Sequence, residues 1–266
     1  MDLGLTGKVA VVTGASAGIG RAVVAALTAE GASVVLNARG GEALEATARE
    51  LARAGARVVP VASDLTTAEG VQRLRDEALA AFGTIHVLVN NVGGPGRFAP
   101  FMELGDDEWV EALNLNLLSA VRTTRAFLPA MQRQRWGRII NIASEAGVQP
   151  DPEKPHYNAS KAALLNLTKS LSKAFAADGI LVNAVSPAFV MTPAVHGMIE
   201  KASREAGRGF DEEVAAFLAE KRPHIELKRP GEPQEVAAVV AFLASERASF
   251  INGANFRVDG GSVASI

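Results

Sequence analysis

The chain has 266 residues, 48% of them hydrophobic and 21% charged, a length and balance that fit one large α/β domain. Its 27 basic and 29 acidic residues leave a formal charge of −2 and no basic stripe, which argues against a nucleic-acid partner. Cysteine is absent, so disulfides, thiolate nucleophiles and cysteine-held zinc are excluded, and a reducing compartment is expected.

The opening MDLGLTGKVAVVTG has no basic segment ahead of a long apolar run, and its apolar stretch suits a buried strand and is too short for a bilayer. A cytoplasmic protein is expected. Residues 8–14 (KVAVVTG) read as the first strand and 18–30 as an amphipathic helix. Strands over 32–38, 57–64 and 85–91 then alternate with helices over 42–54 and 67–82. After a loop rich in glycine and proline, one long helix is predicted over about 107–135, followed by a strand at 138–144 (RIINIAS) and a helix over about 157–177. A strand at 180–186 (ILVNAVS), a helix over about 233–245 and a last strand in NFRVDGG complete the pattern. The segment 193–225 carries charges, glycines and two histidines, breaks the rhythm, and reads as an irregular substrate lid.

Strands that are unbroken apolar runs, alternating with helices, predict crossover connections and a parallel sheet covered on both faces. The expected fold is α/β: a single Rossmann-type doubly wound parallel sheet of about seven strands, one domain over 1–266 without a linker. The apolar run 236–244 (VAAVVAFLA) is too short to span a membrane and is expected to cover the sheet.

TGASAGIG joins the first strand to the first helix, with glycines at 14, 18 and 20. A glycine turn ahead of a helix N-terminus lets backbone N–H groups approach a pyrophosphate, so Gly14, Ser16, Ala17, Gly18, Ile19 and Gly20 are candidate dinucleotide contacts. The end of the second strand should select the cofactor. VVLNARGG puts Arg39 at the tip and no carboxylate before Glu42, which suits the 2′-phosphate of NADP(H) over the free ribose of NAD(H). Ala17 supplies no second basic group in the turn. Asp64, followed by Leu65, reads either as an acceptor for the adenine amino group or as a helix N-cap.

PHYNASK holds the chain's single tyrosine, and Lys161 follows Tyr157 by four residues, on the same helix face. A free phenol titrates near 10, and an ammonium about 4 Å away at an effective dielectric of about 20 contributes roughly 4 kcal/mol, enough to draw it toward neutrality; burial acts in the opposite sense. Ser144 ends the preceding strand, at the sheet edge where ligands bind.

TGASAGIG, NNVGG, NLNLLSA, GRIINIAS, YNASK, VNAVSPAFVMTP and INGANFRVDGG occur in the order and spacing of the classical short-chain dehydrogenases/reductases, and the chain resembles that family over nearly its whole length. Within it, the resemblance is to the 3-oxoacyl-carrier-protein reductase type. The resemblance implies that Tyr157 is the acid/base, that Lys161 lowers its pKa and holds the nicotinamide ribose, and that Ser144 hydrogen-bonds the substrate oxygen. Asn116 is implied to anchor a water linking Lys161 to solvent, with Asn114 the competing candidate. Asn91, Gly93, Pro187, Val190 and Thr192 are implied to line the cofactor. Two positions depart from the family pattern: Ala188 follows Pro187 where glycine is usual, and Val92 replaces alanine. A homotetramer (or homodimer), assembled through the long helix, the Tyr157 helix and the last strand, is implied as well. Leu164, Leu165, Leu167 and Leu171 spread wider than one stripe, in keeping with a helix that faces both the sheet and a partner.

The expected activity is NADP(H)-dependent hydride transfer between the nicotinamide and a carbonyl or secondary alcohol. The alternatives are an NAD-dependent alcohol dehydrogenase of the same fold and a non-catalytic dinucleotide sensor. No metal is expected, since the four histidines lack ligand spacing. His156 is expected at the surface, Glu145 either in the pocket or solvated, and Trp109 and Trp136 in packing roles.

Overall fold

The computed structural model describes residues 2–265; the two outermost residues of the predicted 1–266 domain lie outside the described residues. Seven strands, β1 (Val9–Val12), β2 (Ser33–Ala38), β3 (Val58–Ala62), β4 (Val87–Asn90), β5 (Gly137–Ile142), β6 (Ile180–Pro187) and β7 (Asn255–Val258), form one sheet. Its order is β3-β2-β1-β4-β5-β6-β7, and all six pairings are parallel. This is the doubly wound, Rossmann-like arrangement.

Successive strand residues face opposite sides of the sheet, so the two cores can be read from β1. Ala10 and Val12 pack with Val23, Val24 and Leu27 of α1 (Gly18–Ala29) and Val236 and Val240 of α9 (Pro233–Ala244). Val9 and Val11 pack on the other face with Leu74 of α3 (Ala68–Phe82) and Phe127 and Met131 of α5 (Ser119–Gln134). The helix α2 (Gly41–Arg53) adds Leu44 to the first core. The inner strands β1, β2, β4, β5 and β6 are buried from both sides and show no polar alternation in sequence, whereas the edge strand β7 alternates exposed and half-buried residues.

Three expectations need correction. The long helix predicted over about 107–135 is two helices, α4 (Asp106–Leu113) and α5, joined by a π-helical turn at Asn114–Leu118. The helix of Tyr157, α6, spans Pro155–Ala174, starting with proline at its first turn and giving way to a short 3-10 turn at Ala176–Asp178. The segment 193–225 is not irregular. It folds as α7 (Pro193–Ala206) and α8 (Phe210–Lys221), with Gly207 closing α7 in the left-handed conformation. Asp211, Glu212 and Glu213 occupy the first turn of α8, where negative charge is favourable.

The chain winds outward from β1 to β3, then crosses back to place β4 on the other side of β1. A crevice opens at that reversal beyond the carboxyl ends of the strands, the ligand position of such sheets.

Candidate active site

A cavity of about 930 Å³ occupies this crevice. By strand order, Arg39, Asp64 and Leu65 after β2 and β3 line one end and Gly93, Ser144, Tyr157, Lys161, Pro187 and Val190 the other; the glycine turn (Gly14, Ser16, Ala17, Gly18 and Ile19) lies between, with Asn91 and Thr192 against it. Residues from α7 and α8, Met198 and Phe217 among them, border it as well. Two sequence-predicted residues, Gly20 and Asn116, are not on its wall.

Gly20 is needed for packing. A Cβ there would lie 2.3 Å from the Gly14 carbonyl oxygen and 2.6 Å from Asn91 Nδ2. Gly14 and Gly18 both adopt positive φ, which keeps the turn tight. The Asn91 amide fastens this turn to β4 by donating to Thr13 O at 2.9 Å and Gly14 O at 3.1 Å. Ala17 precedes α1 without capping it, and the first turn holds no acidic residue, so the leading N–H groups are available to an anion at the cavity floor. These features fit the pyrophosphate of a dinucleotide.

Arg39 is exposed at the rim and makes no ion pair among the described residues. Asp64 is turned to Thr66, accepting from its backbone N at 2.9 Å and its hydroxyl at 2.8 Å. Those two bonds hold its carboxyl below the usual range, with a smaller contribution from Arg39. The N-cap of α3 is Thr67, which accepts from Gly70 N at 3.0 Å, so the capping alternative for Asp64 is set aside.

Tyr157, half-buried in the first turn of α6, reaches the other end of the cavity. Lys161, one turn on, is 3% exposed, and its Nζ donates to Ile142 O at 2.8 Å and lies 5.7 Å from the Tyr157 ring centroid. Burial brings the Lys161 ammonium down to about 8. The phenol does not show the lowering predicted from the lysine. Burial pushes it up, a hydrogen bond from the Ser144 hydroxyl acts the other way, and the Glu145 carboxylate adds to the rise.

Asn116 sits inside the π-helical turn and is 1% exposed. Its amide grips Gly94 from both sides, Oδ1 accepting from Gly94 N at 2.9 Å and Nδ2 donating to Gly94 O at 3.1 Å. A Cβ on Gly93 would lie 2.7 Å from Asn116 Oδ1 and 3.0 Å from Lys161 Nζ, so this glycine holds open the gap between the two. Asn114 points elsewhere, donating to Thr66 O at 3.3 Å and accepting from Arg122 Nη1 at 2.8 Å.

His156 is 2% exposed, with its ring edge-on to Trp109, so the expected surface histidine is a packed one. Its buried Nδ1 has no partner. Glu145 is buried at the cavity wall and accepts from the Ser262 hydroxyl near the end of the chain. Trp136 packs on His86 beneath Lys8 and Arg138. Lys154 and Arg222, both on the cavity wall, were not anticipated. The three-residue step from Lys154 to Tyr157 is a same-face spacing that could have marked the lysine; Arg222 lies 65 residues from Tyr157 in sequence and left no local signal.

The enoyl-(acyl carrier protein) reductase family matches residues 14–263. The chain is 38% identical over 270 residues to an uncharacterized oxidoreductase, YvaG, of Bacillus subtilis (strain 168), covering 100% of both. It is 37% identical over 262 residues to the 3-oxoacyl-(acyl-carrier-protein) reductase FabG of Aquifex aeolicus (strain VF5), covering 98% of this chain and 99% of that one. Among solved structures, L-sorbose reductase from Gluconobacter frateurii, complexed with NADPH and L-sorbose, superposes with a TM-score of 0.94 at 37% identity and covers 100% of both chains.

Proposed function

The chain belongs to the short-chain dehydrogenase/reductase family, and from that premise we propose that it is an NADP(H)-dependent ketone reductase, reversible on secondary alcohols, with Tyr157 as general acid/base. When bound, the nicotinamide dinucleotide supplies or accepts the hydride.

The protein's own part is to position the carbonyl and move one proton. Tyr157 and Ser144 converge on the substrate oxygen from α6 and from the end of β5. A phenol raised by burial keeps its proton at neutral pH, which suits it to donate as the carbonyl is reduced. The resulting phenolate lies beside the Lys161 ammonium, and in oxidation it takes the proton back. The gap that Gly93 leaves between Asn116 and Lys161 is where a water anchored by Asn116 would link the lysine to solvent. The observation that carries this reading is the meeting of Tyr157, Ser144 and Lys161 on the wall of the same cavity that the glycine turn lines.

Arg39, exposed at the cavity rim and free of carboxylate partners among the described residues, supports NADP(H) over NAD(H). The solved relative's complex with NADPH supports the same choice. The span 193–225, now two helices along the cavity, acts as the substrate lid of a single domain. A cytoplasmic homotetramer is part of the proposal. Exposed Val110 and Leu118, flanking the α4–α5 junction, and Phe250, just before β7, support contacts between copies.

Turnover of a panel of ketones and acyl thioesters with NADPH and NADH in parallel tests the function. Consumption of NADPH with at least one of these classes is expected. No turnover with either cofactor would sink it.

A further inference from the structure

Beside Tyr157 stands a second lysine that the proposed reaction does not use. Lys154, immediately ahead of α6, is 8% exposed and lines the cavity. Its Nζ is 5.8 Å from the Tyr157 ring centroid, against 5.7 Å for Lys161. Its ion-pair partner is Asp151, at 3.4 Å from Nζ to Oδ2, and the same oxygen accepts from Arg222 Nη1 at 3.1 Å. Arg222, at the end of α8, also lines the cavity.

One carboxylate oxygen therefore faces two cations. The Lys154 contact is long beside the roughly 2.7–2.9 Å of a strong charge-assisted bond, and an ammonium has three donors to place. The remaining charges at this end do not complete its shell. Glu145 is turned to Ser262, and Glu153 and Lys221 are exposed charges of opposite sign on the wall. Burial, and after it the charge of Arg222, draws Lys154 below the ordinary lysine value, outweighing the opposing pull of Asp151 and Glu145. A buried charge without full pairing is costly, and such groups gather where a ligand completes them.

We propose that Lys154 and Arg222 form a subsite for a carboxylate on the substrate, so that the enzyme interconverts a short oxo acid and its hydroxy acid. This rests on the reductase reading above and names its substrate class. Lys154 Nζ lies 5.8 Å from the Tyr157 ring centroid, and in the proposed reaction the reacting oxygen meets the Tyr157 hydroxyl, which leaves room for only a few bonds between carboxylate and carbonyl. The carboxylate enters the gap between Lys154 and Arg222 and gives them a second carboxylate in direct contact beside Asp151.

The test compares 3-oxobutanoate, its methyl ester and a neutral ketose as substrates of the full-length enzyme with NADPH, in the natural protein, Lys154→Met and Lys154→Arg. The natural protein is expected to favour the acid over the ester by at least about tenfold in kcat/KM, the scale of one charge-assisted contact. Lys154→Met should lower the value for the acid at least about tenfold more than for the ester, chiefly through KM, and Lys154→Arg should keep the preference. Calorimetric titration with 3-hydroxybutanoate gives a readout without turnover: saturable binding to the natural protein, lost in Lys154→Met and absent with neutral butane-1,3-diol. Ester or ketose turned over as well as the acid would overturn the proposal, and so would equal losses for acid and ester in Lys154→Met, which would make the lysine only a latch for α8. Lys154-dependent binding of 3-hydroxybutanoate in a protein that reduces none of the carbonyls would uphold the subsite while refuting the reductase reading.

Discussion

Lys161 and Tyr157 are both perturbed by burial, in opposite electrical senses: the lysine is pressed toward its neutral form and the phenol is held in its own. The lysine should leave a trace in stability. Its folded value of about 8 is below the ordinary lysine value of 10.5, so between those two pH values the folded protein has released a proton that the unfolded chain retains. Stability contributed by this group thus rises as pH rises through that window and is lost again as pH falls through about 8. In thermal melts, the midpoint of the natural protein minus that of Lys161→Met should increase by several degrees from pH 8 to 10.5, and a flat difference would contradict the burial. At the other end of the cavity, Arg39→Ala should weaken NADPH binding at least about tenfold more than NADH, as measured by fluorescence titration, because a phosphate contact is lost and a ribose contact is not. An unchanged ratio would place NADP(H) selection elsewhere. Spacing, the single tyrosine and a strand end singled out Tyr157, Lys161 and Ser144 as local facts, while their roles came from the family resemblance. Lys154 carried a local same-face signal that went unread, whereas the burial of His156, the place of Arg222 and the Glu145–Ser262 contact were hidden because depth depends on which distant residues arrive. Ser262 lies 117 residues beyond its partner.

At the scale of elements, two glycines divide the work between folding and chemistry. Gly20 packs α1 against the turn, and its missing Cβ would strike backbone at 2.3 Å, which cannot swing aside. Gly20→Ala should therefore cost about 2 kcal/mol or more in denaturant unfolding. Gly93 faces the movable ends of Asn116 and Lys161. Gly93→Ala should cost less stability but lower kcat at least about tenfold by displacing those two groups; a variant with full kcat would remove the gap from the mechanism. The helices and strands themselves were largely legible, because long apolar runs and amphipathic periods persist over whole elements. The π-helical turn was not, since NLNLLSA keeps an unbroken helical pattern and one extra residue in a turn has no compositional mark. The two helices after Pro193 were missed because Gly197, Gly207 and Gly209 read as breakers, although Gly207 and Gly209 only delimit them.

Across the whole molecule, a parallel sheet of order 3-2-1-4-5-6-7 brings the ends of six of its strands and the first turn of α6 around one cavity, which is why motifs scattered from Gly14 to Thr192 meet. Chain order alone does not show this convergence; the crossover rule for alternating strands and helices made it predictable. Apolar side chains left exposed at Val110, Leu118 and Phe250 should be covered in the assembly, so light scattering is expected to give the mass of four chains, with Leu118→Glu shifting it to smaller species. A single-chain mass for the natural protein would contradict the tetramer. The decisive comparison is between the natural enzyme and Tyr157→Phe, with NADPH oxidation followed on a ketone that the natural enzyme reduces and NADPH binding measured on the same samples. Turnover should fall by about 10²–10⁴-fold while NADPH still binds, as expected when only the proton donor is removed. A phenylalanine variant that reduces the ketone at the natural rate would show that the proton comes from another group.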